Sequence, residues 1–149
     1  MKKIIIIGAS SGMGMRIATD FARLGWRVGI AARREDRLKA VKDFYPDRIE
    51  YMTIDVTAQD AVDRFYKLIE LIDGMDYLLY AAGCGWRNPQ LDDARDRQTL
   101  DVNVVGFTRI VNAAYKYFKD TANLHRGHIA VITSVSYTHL RAHETVLDL

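Results

Sequence analysis

The earliest residues able to do chemistry are glycines. Gly8-Ala9-Ser10-Ser11-Gly12-Met13-Gly14 follows the apolar run Lys3 to Ile7 and opens onto a helical pattern. A glycine-rich turn at such a junction meets three separate needs. The chain must reverse tightly, its backbone must approach a pyrophosphate closely, and the helix must pack hard against the strand. Backbone amides and the positive end of the helix then face phosphate oxygens. A plain flexible turn would need none of this. The strand before it, the helix after it and its place near the N-terminus decide for the phosphate-binding reading. A kinase-type phosphate loop is excluded, because no Gly-Lys-Ser/Thr follows. Other groups with chemical potential are Cys84, the paired histidines His125 and His128, and the set His139, His143 and Glu144, whose spacing on a helix suits a metal.

These residues need a frame. Lys3 to Ile7, Val28 to Ala32, Ile49 to Val56, Asp76 to Ala81 and Gly127 to Ser134 read as strands. Between them lie helical stripes: Met13, Ile17, Phe21 and Leu24, capped by Gly25; Leu38, Val41 and Tyr45, closed by Pro46; Ala61, Phe65, Leu68 and Ile72, with Thr57 as N-cap. A long helix carries Val104, Phe107, Val111, Ala114 and Phe118. Strands that alternate with helices and are nearly all apolar predict an α/β domain with a parallel sheet covered on both faces. No repeat, low-complexity tract or linker interrupts residues 1–134, which form one domain.

The composition narrows the partners. The chain has 149 residues, 49% of them hydrophobic, and a formal net charge of +2, so nothing electrostatic points to nucleic acid or an anionic membrane. A single cysteine excludes an internal disulfide and fits a reducing compartment. The isoleucine run after Lys2-Lys3 imitates a secretion signal, but it stops at Gly8, too soon for a signal core or a membrane span. A cytoplasmic location is expected.

The glycine spacing is Gly-x-x-x-Gly-x-Gly, wider than the Gly-x-Gly-x-x-Gly of other dinucleotide-binding proteins. Here the chain resembles the short-chain dehydrogenase/reductase family. Asp55-Val56 looks like its adenine-contacting pair, Tyr80-Ala81-Ala82-Gly83 stands where it usually has Asn-Asn-Ala-Gly, Asn103 matches its active-site asparagine, and Ile132-Thr133-Ser134-Val135 matches the strand ending in its catalytic serine. The departure at Tyr80 and Ala81 removes asparagines that mainly brace the sheet.

The resemblance implies a Rossmann-type doubly wound sheet of order 3-2-1-4-5, truncated before its last strands. It also implies hydride transfer between NADP(H) and a carbonyl or alcohol. Gly8, Ser10, Ser11, Gly12, Met13, Gly14, Arg33, Asp55, Val56, Ala82 and Gly83 would hold the cofactor. Ala32 stands about where a relative that prefers NAD carries aspartate, and an arginine nearby would instead accept a 2′-phosphate, so NADP is favoured over NAD. Arg33 is assigned that role against the alternative of a solvated charge paired with Glu35 and Asp36; the residues do not decide for Arg34. Ser134 would orient the substrate carbonyl, and Asn103 would hold a water in the proton relay. The parent is expected to be a homo-oligomer, paired through the long helix and the next.

The family's Tyr-x-x-x-Lys should come about a dozen residues after the serine. None does. Tyr137 with Arg141 comes too soon and supplies the wrong cation. The segment from Val135 to Thr145 resembles the translation of a transposase-type sequencing adapter. Native sequence is therefore expected to end at Ser134 or Val135, and residues 135–149 to be an assembly artefact. This removes His139, His143 and Glu144 as a metal site. It leaves the chain as an inactive fragment, with an uncovered fifth-strand edge that makes poor solubility the expectation. His125 and His128 read as exposed, and Cys84 as a small packing residue. Two rivals remain: a non-catalytic dinucleotide-binding sensor of the same fold, and a short protein whose tail is an interaction helix.

Overall fold

Ile4 to Ile7 alternate between two cores, and the rest of the chain is arranged around them. The computed structural model describes residues 1–121 and 127–133. Strand β1 (Lys3–Ile7) lies between β2 (Arg27–Ala32) and β4 (Tyr77–Tyr80); β3 (Ile49–Thr53) adds beyond β2, and β5 (His128–Val131) beyond β4. All pairings are parallel, in the order β3-β2-β1-β4-β5, as expected. Side chains on a strand point alternately to opposite faces. Ile5 and Ile7 join Phe65 and Leu68 of α3 (Ala61–Leu71) and Ile110 and Phe118 of α5 (Phe107–Asp120). Ile4 and Ile6 join Ala18 and Ala22 of α1 (Gly12–Arg23) and Leu38 and Val41 of α2 (Glu35–Asp43). Burial on both faces is why the strand is apolar at every position from Ile4 to Ile7.

Several boundaries and faces differ from the expectation. The stripe of α1 is not the one the large residues suggest: Met13 and Leu24 are 63% and 70% exposed, and the buried positions are Gly14, Ala18 and Ala22. Small side chains let the helix approach the sheet closely; a Cβ on Gly14 would sit 2.4 Å from the Gly8 carbonyl oxygen. Gly25, at φ +83°, ends the helix as expected, its N–H donating to the Ala22 carbonyl.

Strand β3 stops at Thr53, although Ile54 N–H still donates to the Ala32 carbonyl at 2.9 Å. The fourth and fifth strands are likewise shorter, at Tyr77–Tyr80 and His128–Val131. Thr57 does not cap α3. Asp60 holds that position, and Thr57 donates from its N–H and Oγ1 to Asp55 Oδ1.

The long helix is three segments in one rod: α4 (Asp93–Leu100), a π-helical stretch (Asp101–Gly106) and α5. The wider π turn breaks the 3.6-residue phase, so Val104 faces outward while Ile110, Ala113, Ala114 and Phe118 are buried. β5 pairs on one side only among the described residues, and all four of its residues are exposed. Among the described residues, no helix is long and apolar enough to cross a membrane.

Candidate dinucleotide site

Because the strands are parallel, their C-terminal ends share one rim. The chain leaves β1 for one side of the sheet and returns for β4 on the other, which opens a crevice between those two strand ends. A cavity of about 300 Å³ lies there, lined by Gly8, Ser10, Ser11, Gly12, Met13, Gly14, Arg33, Arg34, Asp55, Val56, Ala82 and Gly83, with Ile7, Ala32, Ile54, Ala81, Cys84 and Val102. The structure thus brings together every position assigned to the cofactor from sequence.

The glycines do different work. Gly8 has φ +93°, and a Cβ there would lie 2.5 Å from Ala82 N, so the turn exists only because β1 and β4 part beside a bare backbone. Gly12 has φ +58°, and a Cβ there would meet nothing within 4 Å. It faces open space on the cavity wall.

Cations stand at the rim. Arg34 Nη2 donates to Ser10 Oγ and to Ser11 Oγ, both at 2.9 Å, tying the end of β2 to the glycine turn. Arg33 lines the same cavity and also an adjoining cleft with Asp55, Thr57 and Arg97. The side chain that sequence left undecided is therefore the one attached to the turn. Asp55 is fixed by Thr57, which occupies Oδ1; among the described residues nothing hydrogen-bonds Oδ2.

Asn103 sits in the π-helical stretch. Its Oδ1 accepts from Cys84 N–H at 2.9 Å, and its Nδ2 donates to the Cys84 carbonyl at 2.7 Å. The amide thereby locks the helix to the loop after β4. A second cavity of about 550 Å³ opens beside it, lined by Asn103, Tyr80, Phe107 and Val131 to Thr133, and it shares Met13, Ala82, Gly83 and Cys84 with the first. Ser134 lies outside the described residues, as do His125, Tyr137, His139, Arg141, His143 and Glu144. Among the described residues no cluster of His, Cys, Asp and Glu is arranged to hold a metal ion.

The family model described as short chain dehydrogenase matches residues 2–146. The chain belongs to this family. A farnesol dehydrogenase of Aedes aegypti is 33% identical over 146 residues, which cover 90% of this chain and 57% of that protein. A 3-ketoacyl-(acyl-carrier-protein) reductase from Brucella melitensis, solved with NADH, superposes with a TM-score of 0.83 at 24% identity, over 91% of this chain and 57% of that one. The closed form of a serine dehydrogenase, solved with NADP+, gives 0.82 at 23%, over 97% and 59%. At these identities the two structures speak for the fold. The chain spans about half the length of the curated relatives it matches.

In this member of the family, Tyr80 takes the place expected of an asparagine. It is buried, its ring meets Phe107 edge-on at 5.3 Å, and its hydroxyl donates to the Val102 carbonyl of the π-helical stretch at 3.3 Å. The tyrosine thereby ties β4 to the π-helical stretch. Burial, with a smaller effect of Cys84, pushes the phenol from 10.0 up to about 12, so Tyr80 keeps its proton at neutral pH. The spacing Tyr115-x-x-x-Lys119 does occur in α5, but Tyr115 is 56% exposed and lines neither cavity.

Tyr80 carries a pH prediction. A folded-state phenol raised above its unfolded value contributes stability that is intact below pH 10.0 and is lost as the pH rises towards about 12. Thermal unfolding followed across that window is expected to show a falling midpoint, with a shallower fall in Tyr80→Phe. Equal slopes would contradict the buried, neutral phenol.

Proposed function

We propose that this chain carries the dinucleotide-binding part of an NADP(H)-dependent oxidoreductase that moves a hydride between the cofactor and a small carbonyl or alcohol. The observation that carries the reading is the arginine pair following Ala32, set on the rim of a glycine-lined cavity where no carboxylate ends β2. A carboxylate there would bond a ribose hydroxyl and repel a 2′-phosphate; guanidinium groups attract one. Arg33 is the nearer assignment. Arg34, already holding Ser10 and Ser11, adds a second cation and two hydroxyls to the same cradle.

The residues fit the dinucleotide. Gly12 leaves room for the pyrophosphate, Gly8 and Gly14 let strand, turn and helix close on one another, and the free oxygen of Asp55 suits the adenine amine. The nicotinamide, when bound, supplies or accepts the hydride. Asn103 fixes the loop after β4, whose Gly83 and Cys84 border both cavities, and would hold a water in the proposed proton relay; Ser134 would orient the substrate carbonyl by donating its hydroxyl to the oxygen.

We further propose that residues 135–149 are foreign to the native gene, and that this chain binds the cofactor without turnover because no Tyr-x-x-x-Lys follows Ser134. One cysteine fits a cytoplasmic parent, and Leu100, Val104 and Tyr115, exposed along the long rod, suit pairing with a second copy. The test is to read the gene past the Ser134 codon and assay the protein it encodes. A Tyr-x-x-x-Lys about a dozen codons on, with NADPH-dependent carbonyl reduction absent from the 149-residue chain, is the expected result. Finding the stated tail in the genuine gene would overturn the proposal that it is foreign.

A further inference from the structure

One nitrogen of Arg109 holds the turn that presents Asp55. Arg109 Nη1 donates to the Val56 carbonyl at 3.1 Å and to the Ala58 carbonyl at 2.7 Å, reaching from α5 to the segment after β3. Gly106, one turn earlier on the same rod, presses on the same place: a Cβ there would lie 2.5 Å from Val56 Cγ2. Inside the turn, Thr57 fixes Asp55 through two hydrogen bonds. The segment is therefore clamped from within by Thr57 and from behind by α5, while Asp55 and Val56 line the cavity.

We propose that Arg109 is a positioning residue for adenine recognition, holding the Asp55–Val56 turn against α5 so that its carboxylate meets the base. The proposal rests on the dinucleotide reading above. Arg109 lines neither cavity, so its effect passes through the turn. Hydrogen bonds from a charged donor to two carbonyls are among the stronger ones, and losing the donor would leave the partly buried Val56 carbonyl without its partner and the Ala58 carbonyl with only the Ala61 N–H at 3.3 Å. Because both bonds leave from one nitrogen, a lysine ammonium can take over part of the task, and a methionine cannot.

The test compares NADPH with its hypoxanthine analogue, in which an oxygen replaces the adenine amine. Calorimetric titration of the full chain is expected to show tighter binding of NADPH. Arg109→Met is expected to weaken NADPH by about tenfold and to bring the ratio between the two ligands towards one. Arg109→Lys should restore most of that ratio. A purely structural role would weaken both ligands alike and keep the ratio, which would overturn the proposal. Arg109→Gln, a shorter and uncharged donor, is the variant to read if Arg109→Met does not fold. It should fall between, and a wild-type ratio there also overturns the proposal. A wild type that binds both ligands equally contradicts the role given to the turn. A wild type that binds neither removes the dinucleotide reading itself, and this proposal with it.

Discussion

Gly8→Ala is expected to abolish dinucleotide binding and to destabilise the fold by about 2–5 kcal/mol. Two costs combine. At φ +93° an alanine sits in a region that L-residues avoid. Its methyl would also lie 2.5 Å from Ala82 N and 2.7 Å from the Ala81 carbonyl carbon, atoms of backbone that no rotamer change can move aside. Relief would require β1 and β4 to separate at the crevice. For a chain of this length such a loss corresponds to a fall in Tm of roughly 5–15 °C.

Gly12→Ala is the control, because it divides the two effects. It has a positive φ but open space around the new methyl, so it should cost only about 1 kcal/mol. Yet it stands on the wall where a pyrophosphate would approach, and dinucleotide affinity should fall by at least about tenfold, the loss of one good contact to a charged group. Scanning calorimetry and ligand titration on the two variants check this. Equal stability of both would contradict the packing around Gly8, and unchanged binding in Gly12→Ala would contradict the place given to the phosphates.

Replacing Arg33 and Arg34 together with alanine is expected to weaken NADPH by about 10- to 100-fold while changing NADH by no more than about threefold. Hydrogen bonds between guanidinium and phosphate are charge-assisted, and the 2′-phosphate is the one group that distinguishes the ligands. Both arginines are exposed, so the difference should shrink as salt rises. The single variants should not be equivalent. Arg33→Ala should lose NADPH affinity alone, whereas Arg34→Ala also releases Ser10 and Ser11 from the glycine turn and should loosen both ligands slightly. Titrations at low and high salt read this directly; a parallel loss of NADPH and NADH in the double variant would contradict it.

The sheet and the glycine turn were legible because their signals are local and large. Four consecutive isoleucines before a glycine-rich turn leave few alternatives for β1, and the family motifs then fix the strand order. The inward face of α1 was misread for a physical reason. Hydrophobic periodicity gives weight to Met13 and Leu24, whereas a helix lying this close to a sheet buries Gly14, Ala18 and Ala22. The π-helical stretch leaves no periodic trace, since it is defined by a break in phase and held by contacts from elsewhere: Tyr80 on Val102, Cys84 on Asn103.

The contacts of Arg34, which the sequence left open, and of Arg109, which it did not single out, escaped it for a common reason. Each acts through a long, flexible side chain on a segment distant in sequence, and its partners are a hydroxyl pair or main-chain carbonyls that any residue could supply. Thr57 shows the converse. Its type suited a helix cap, but α3 begins only at Ala61, and Thr57 instead donates to Asp55 two residues earlier.

The most direct measurement is a calorimetric titration of NADPH and NADH into the 149-residue chain at matched ionic strength. Both are expected to bind at one site, with NADPH tighter by about tenfold or more, the worth of a charge-assisted contact to the 2′-phosphate. NADH binding as tightly as NADPH, or tighter, would contradict the role given to Arg33 and Arg34. Binding of neither would contradict the assignment of the glycine-lined crevice itself.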